Sequence, residues 1–138
     1  MATGTNIRTY FEGQWHEGDA LIMRAADHGA WLGSSVFDGA RCVNGLVPDL
    51  EAHCARVNSS AEALMLTPHV RTEDMVEIIR EGLRAYPAGT PIYIRPMYWG
   101  VGSDYMAIVP AAEGAGFAIA LEEIPMPQAG ASVTLTRT

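Results

Sequence analysis

The chain has 138 residues, of which 49% are apolar and 18% are charged, and its formal net charge is −7. This size and composition predict one globular domain with a hydrophobic core and exclude a disordered chain. The acidic balance, with only nine basic residues and all of them arginine, excludes a nucleic-acid-binding surface, which needs clustered positive charge.

Membrane insertion and disulfide bonding are not expected. No stretch approaches the roughly 18 apolar residues of a membrane-spanning helix, and the N-terminus lacks the basic and then apolar order of a secretory signal. We therefore expect a soluble, cytoplasmic protein. Cys42 and Cys54 lack a CxxC spacing, so both are expected to be small buried hydrophobic side chains.

The N-terminal segment is predicted to form antiparallel β-structure. Residues 7–15 alternate around the pair Glu12-Gly13, which predicts two short strands joined by a tight turn. A third extended segment is expected at residues 20–23.

The next strand prediction covers residues 34–43, SSVFDGARCV, which alternate along one continuous strand. The pair Asn44-Gly45 is a strong hairpin signal. Residues 46–48 would return as a second strand, and the proline in them limits that strand to an edge or an end.

Two amphipathic helices follow. Asp49 is the predicted N-cap of the first, since apolar residues recur after it at a spacing of three to four for about 15 residues. The second begins at Thr72, carries acidic residues in its first turn, and is stopped by Pro87 and the small residues after it.

Strands are predicted again at residues 91–99, 116–124 and 132–138. The connection at residues 100–114 is long for a compact domain, and loops of this kind are usually functional or disordered. The strand-like end suggests that the chain is cut short. The whole pattern predicts an α+β fold, a mostly antiparallel sheet with two helices packed on it.

Two of these strands place arginine beside aromatic residues. Side chains two residues apart on a strand share a face. One face of the strand at 34–43 therefore carries Ser35, Phe37, Gly39, Arg41 and Val43. One face of the strand at 91–99 carries Tyr93, Arg95, Met97 and Trp99. Such faces suit an anionic organic substrate with an apolar body, because a guanidinium binds a carboxylate through two hydrogen bonds. From the pattern alone, two solvated faces with surface arginines are the favoured alternative.

Other polar residues are less informative. The four histidines have no metal-ligand spacing, so no metal site is expected. Asp38 falls on the core side of its strand, where it must be exposed at a strand end or bonded to backbone amides. Arg56 is by default a solvated residue of the first helix.

Three ordered blocks of the sequence resemble one enzyme family. Residues 33–41 (GSSVFDGAR), residues 49–61 with an arginine followed by Ser-Ala, and residues 93–96 (YIRP) are similar to the N-terminal half of the class IV (fold type IV) pyridoxal-phosphate aminotransferases. The closest resemblance is to the branched-chain amino acid aminotransferases, and it covers essentially the whole chain. It implies a small N-terminal domain, a pyridoxal 5′-phosphate cofactor and a homodimer. It also implies amino transfer between a branched-chain amino acid and a 2-oxo acid such as 2-oxoglutarate.

The resemblance also implies roles for individual residues. Arg56 would bind the cofactor's phosphate. The substrate pocket would contain Phe37, Gly39, Arg41, Tyr93 and Arg95. Within it, Phe37 forms part of the wall, Gly39 admits the substrate, and Tyr93 helps to hold carboxylates. Arg95 would bind the distal carboxylate of glutamate or 2-oxoglutarate, with Arg41 supporting that polar network.

One catalytic group of this family is missing from the sequence. The family's enzymes hold the cofactor as a Schiff base on a lysine of the larger C-terminal domain, and this chain contains no lysine. Residues 1–138 are therefore expected to be the small domain only, with no catalytic residue and no transamination activity alone.

The resemblance leaves other functions open. Leu32 stands where branched-chain enzymes usually carry a tyrosine, so a D-amino acid transaminase, an (R)-amine transaminase or an aminodeoxychorismate lyase shares the pattern. A non-catalytic small-molecule binding module is the alternative from another class.

Overall fold

An antiparallel sheet is the scaffold of the domain. The computed structural model describes residues 4–104 and 106–126, so the strand predicted at 132–138 lies outside the described residues. The strands are β1 (Thr5–Phe11), β2 (Gln14–Glu17), β3 (Ser35–Phe37), β4 (Ala40–Cys42), β5 (Ile92–Trp99) and β6 (Gly116–Glu123), and the helices are α1 (His28–Trp31), α2 (Leu50–Ala63) and α3 (Thr72–Leu83). The six strands follow the order β2-β1-β6-β5-β3, and β4 pairs with β5 beside β3. The predicted α+β fold is confirmed, with the four-residue α1 as an addition.

The N-terminal hairpin forms as predicted. Glu12 and Gly13 both have positive φ, 50° and 82°, which is the backbone of a two-residue turn between twisted strands. The extended segment expected at residues 20–23 forms no strand. It is tied to the sheet by a hydrogen bond from the Ala20 amide to Thr9 Oγ1 (3.3 Å), and Leu21 is 98% exposed. The extended segment predicted there is therefore wrong as a strand.

The strand predicted at 34–43 is interrupted in its middle. Strands β3 and β4 pair with β5 in one continuous register, Phe37 opposite Met97 and Ala40 opposite Ile94. Between them the Asp38 amide donates to the Pro96 carbonyl (3.2 Å). Because proline has no amide hydrogen, the reciprocal bond cannot form and the ladder breaks at this point.

The connection to the first long helix differs in two details from the prediction. Asn44 and Gly45 form the turn with positive φ, but the returning strand is reduced to one bridge between Val43 and Leu46. Asp49 precedes α2 as expected, yet its backbone is left-handed (φ 52°) and its side chain makes no capping hydrogen bond.

Helices α2 and α3 cover one face of the sheet and enclose the core. The fully buried side chains there include Val57, Met75, Ile79, Ile94, Tyr98, Ile119 and Leu121. A β-carbon on Gly82 of α3 would lie 2.3 Å from the Trp15 ring, so the absent side chain permits this close helix–sheet contact. The sequence periodicities that predicted both helices therefore correspond to a packed face.

The cysteines take the positions expected from the sequence. Cys42 and Cys54 are free and buried. Burial, with the charges of Asp38 and Glu51, raises the pKa of Cys54 to about 11, so this thiol is protonated at neutral pH. In the part of the chain that the structure describes, no helix is both long and apolar enough to cross a membrane.

Replacing Ile119 by alanine tests the position of the core. Ile119 is fully buried on the central strand β6, so Ile119→Ala is expected to lower the free energy of unfolding by about 2–5 kcal/mol. The control Leu21→Ala, at the 98% exposed position, is expected to stay within about 0.5 kcal/mol of the parent. Urea unfolding followed by circular dichroism measures both, and equal effects would contradict the described core.

Candidate functional site

The sheet face opposite the helices holds a cluster of two arginines around one aromatic ring. Arg41 of β4 lies directly opposite Tyr93 of β5 in the pairing. The Arg41 and Arg95 guanidinium carbons lie 5.7 Å and 5.8 Å from the centre of the Tyr93 ring. At this distance a guanidinium is attracted to the electrons of the ring face. The ring thus helps to hold both cations at one place on the open face.

Gly39 packs against the same tyrosine. A β-carbon there would lie 2.5 Å from the Tyr93 hydroxyl and 3.1 Å from its ring. The space left by the missing side chain is therefore filled by Tyr93. The resemblance implies that Gly39 leaves room for the substrate. In this structure the Tyr93 side chain occupies that room.

Arg95 already has a carboxylate partner within the chain. Its Nη2 donates a hydrogen bond to Glu122 Oε1, and the Glu122 side chain is only 4% exposed. Glu122 stands opposite Tyr93 in the β5–β6 pairing and so lies on the open face. Sequence reasoning missed Glu122, because only the pairing of β5 with β6 places it beside Arg95.

The remaining two residues of the open face are placed differently. Arg41 Nη1 donates to the Ile124 carbonyl (3.2 Å), just after β6 ends. Phe37 is 62% exposed at the end of β3, on the same face as Gly39 and Arg41. The structure thus brings together the five predicted substrate-pocket residues along one face, with Phe37 as the exposed apolar end.

A second cluster lies on the helix side of the same strand. Asp38 accepts hydrogen bonds from Arg56 Nε (2.9 Å) and Nη2 (3.1 Å), and its Oδ1 is 2.6 Å from His53 Nδ1. Both expectations for Asp38 were wrong, because the carboxylate is 13% exposed and is satisfied by side chains of α2 rather than by backbone amides or water. The histidine and arginine lie three residues apart on one helical face.

The hydrogen-bonding roles in this cluster follow from the carboxylate. A carboxylate oxygen only accepts, so His53 Nδ1 carries the hydrogen that it shares with Asp38. Arg56 Nη2 is 2.7 Å from the same nitrogen, and this approach of two donors is then a close contact and not a hydrogen bond. Burial would raise the pKa of the Asp38 carboxyl, but the hydrogen bonds from His53 and Arg56 outweigh it and hold the pKa below its usual value.

The two clusters are separated by the strand that carries them. Successive side chains of a strand point to opposite faces, so Asp38 binds Arg56 on the helix side while Gly39 contacts Tyr93 on the open side. Among the described residues, strands β3 and β4 pair only with β5, so their other edge has no described strand partner.

Comparison with protein families gives a match over most of the chain. The family described as "Amino-transferase class IV" matches residues 35–138. A putative branched-chain-amino-acid aminotransferase of Methanocaldococcus jannaschii is 30% identical over 78 residues, which are 56% of this chain and 27% of the relative. A probable branched-chain-amino-acid aminotransferase of Rickettsia typhi is 31% identical over 118 residues, 81% of this chain and 40% of the relative. The chain therefore spans two fifths or less of the length of these relatives.

Solved aminotransferase structures superpose on this chain. An aminotransferase from Brucella abortus, bound to the cofactor PLP, superposes with a TM-score of 0.86 at 47% identity, covering 88% of this chain and 44% of that chain. The branched-chain amino acid aminotransferase of Escherichia coli superposes with a TM-score of 0.72 at 22% identity, over 88% of this chain and 42% of that chain. The second likeness concerns the fold alone.

Substituting Asp38 tests the helix-side cluster. Since the folded-state pKa of Asp38 lies below the unfolded value of 3.8, the stability it provides is present above about pH 4 and is lost as the pH falls through the lowered pKa. At pH 7, Asp38→Asn is expected to cost about 1–3 kcal/mol, and the difference from the parent should shrink in acid.

Unfolding by urea between pH 2 and 7 measures this difference. The matched control is Asp74→Asn, which breaks a solvent-exposed arginine pair with Arg71 and should have little effect. A cost at Asp38 that is the same at every pH would contradict the described pairing.

Proposed function

Because the chain belongs to the class IV aminotransferase family, we propose that it is the small N-terminal domain of a pyridoxal-phosphate-dependent aminotransferase. The intact enzyme transfers an amino group between a branched-chain amino acid and a 2-oxo acid such as 2-oxoglutarate. This chain has no lysine, so the lysine that holds the cofactor belongs to the remaining part of the protein. The homodimer implied by the resemblance and the cytoplasmic location expected from the sequence belong to the same proposal.

The observation that carries the proposal is the pair of guanidiniums held around Tyr93. Arg41 and Arg95 lie at nearly equal distances from one ring, beside the exposed apolar surface of Phe37. Two cations next to an apolar wall match an amino acid or oxo acid, which has a carboxylate at one end and a hydrocarbon body at the other.

The helix-side cluster fits a phosphate group. Asp38 engages Nε and Nη2 of Arg56, while Nη1 has no hydrogen-bond partner among the described residues. The Arg56 side chain is 56% exposed, so the remaining donor is accessible. In the proposal Asp38 fixes the plane of the guanidinium and Arg56 presents Nη1 to the phosphate. When bound, pyridoxal 5′-phosphate supplies the electron sink that amino transfer requires.

Binding of a substrate carboxylate depends on the hydrogen-bond donors of Arg95 that Glu122 leaves free. Glu122 engages Nη2 alone, so the Arg95 guanidinium keeps further donors for a distal carboxylate. Glu122 also compensates the charge of Arg95, which weakens the attraction for a second carboxylate. In the proposal Glu122 orients Arg95, and a dicarboxylate acceptor binds by sharing that arginine with Glu122.

A related substrate class is the second candidate. Leu32 and Trp31 are 49% and 53% exposed and carry no hydroxyl. Leu32 stands where the resemblance expects the tyrosine of branched-chain enzymes, and this difference favours another amino donor, as in a D-amino acid or (R)-amine transaminase. A panel of amino donors tested with the full-length protein separates these candidates, and an aminodeoxychorismate lyase would release product without an acceptor.

Removing Arg56 tests cofactor binding. In the full-length protein, Arg56→Ala is expected to weaken retention of pyridoxal 5′-phosphate by about 10–100-fold, because one charge-assisted hydrogen bond to the phosphate is lost. Cofactor absorbance after dialysis measures retention. The control Arg71→Ala removes an exposed arginine that pairs with Asp74 and should retain the cofactor. Full retention by the Arg56 variant would contradict the assigned role.

Removing Arg95 tests substrate choice. In the full-length enzyme, Arg95→Ala is expected to lower kcat/KM for 2-oxoglutarate by about 10–100-fold and to change it little for 4-methyl-2-oxopentanoate, which has no distal carboxylate. Steady-state transamination kinetics with both acceptors give the ratio. An equal loss for both acceptors would show that Arg95 supports the fold of the pocket and does not select the acceptor.

A further inference from the structure

A cavity on the helix side of the sheet takes no part in the proposed reaction. It has a volume of about 380 Å³ and lies between the turn at residues 43–46, the last turn of α3 and the loop at residues 86–90. Its apolar lining includes Cys42, Leu46, Leu50, Leu83 and Ile92. The first, third and last of these are buried, while Leu46 is 72% exposed and stands at the rim. This size falls at the lower end of the range for small-molecule sites.

The described charged residues that line this cavity are all positive. They are Arg80 of α3 and Arg84, the residue that follows α3, and no carboxylate of the described residues lines it. Arg80 pairs with Glu77 (3.0 Å), which lies outside the lining, and Arg84 forms no ion pair with a described residue. Glu77 therefore compensates part of the charge of Arg80, and the charge of Arg84 has no described carboxylate partner. An anion bound beside these two arginines would supply that partner.

The cavity is separate from the candidate active site. Cys42 and Ile92 are paired neighbours on β4 and β5, as are Arg41 and Tyr93 one position away. The first pair faces the helices and the second pair faces the open side, because side chains alternate along a strand. A molecule in the cavity would therefore contact the same two strands without covering the face around Tyr93.

We propose that this cavity binds a small organic monocarboxylate. The carboxylate lies between Arg80 and Arg84, whose guanidiniums match it in charge and geometry. The hydrocarbon body lies against Leu50, Leu83 and Ile92 under the rim formed by Leu46. The mainly apolar lining selects against inorganic phosphate, which has no hydrocarbon body. This inference is independent of the proposed transaminase function.

Titration of the full-length protein with 4-phenylbutanoate tests the site. Isothermal calorimetry should detect saturable binding. The neutral amide of the same acid should bind with an affinity at least about tenfold lower, because it cannot form the charged contacts. The double variant R80A/R84A should weaken binding of the acid by about tenfold or more. Arg71→Ala is the matched control, an exposed arginine at the other end of α3, and should leave binding unchanged.

The candidate active site also contains arginines, so the binding position needs its own control. Arg95→Ala should leave the affinity for 4-phenylbutanoate unchanged if the probe occupies the helix-side cavity. Loss of binding in that variant with retention in R80A/R84A would place the probe on the open face and overturn the inference. Equal affinity for the acid and its amide, or no binding by the parent protein up to about 10 mM, would also overturn it.

Discussion

The pairing of residues 35–42 with β5 in a single register decides which side of the sheet Phe37, Asp38, Gly39 and Arg41 face. Two residues of the segment, Asp38 and Gly39, fall at the break that Pro96 imposes on the ladder. Because the register continues across the break, the alternation of faces is kept, and one strand serves an open face and a helix-covered face. A shift by one residue would send Phe37 and Arg41 into the core and would expose Ala40 and Cys42.

Hydrogen bonds within the domain orient each arginine of the candidate site. Arg56 is held by Asp38, Arg95 by Glu122, and Arg41 by the Ile124 carbonyl. A buried carboxylate such as Glu122 is costly unless it is paired, so Glu122 and Arg95 stabilise each other's position. Each guanidinium is thus oriented before any ligand arrives, and this reduces the entropy lost on binding. The cost of this arrangement is a weaker net positive potential for anionic substrates.

In the two proposals, opposite faces of the sheet bind different anions. The open face, around Tyr93, suits substrate carboxylates, and the Asp38–Arg56 pair at the strand edge suits a phosphate. The helix-side cavity beside Arg80 and Arg84 lies away from both. Strand β4 contributes to two of these places, because its side chains alternate between them. Five of the nine arginines of this acidic chain therefore lie where anions are proposed to bind.

By itself, the sequence determined the helices, the hairpin at Glu12-Gly13 and the shared face of Phe37, Gly39 and Arg41, since these depend on local periodicity and turn chemistry. The resemblance of its three blocks also identified the family. Only the tertiary structure decided which partners the charged residues take. Glu122 and Arg95 are 27 residues apart and Asp38 and Arg56 are 18 apart, and no periodicity of one element encodes such contacts. They depend on how the strands pair and how α2 packs on the sheet, because a charge is satisfied by whatever group packing brings near it.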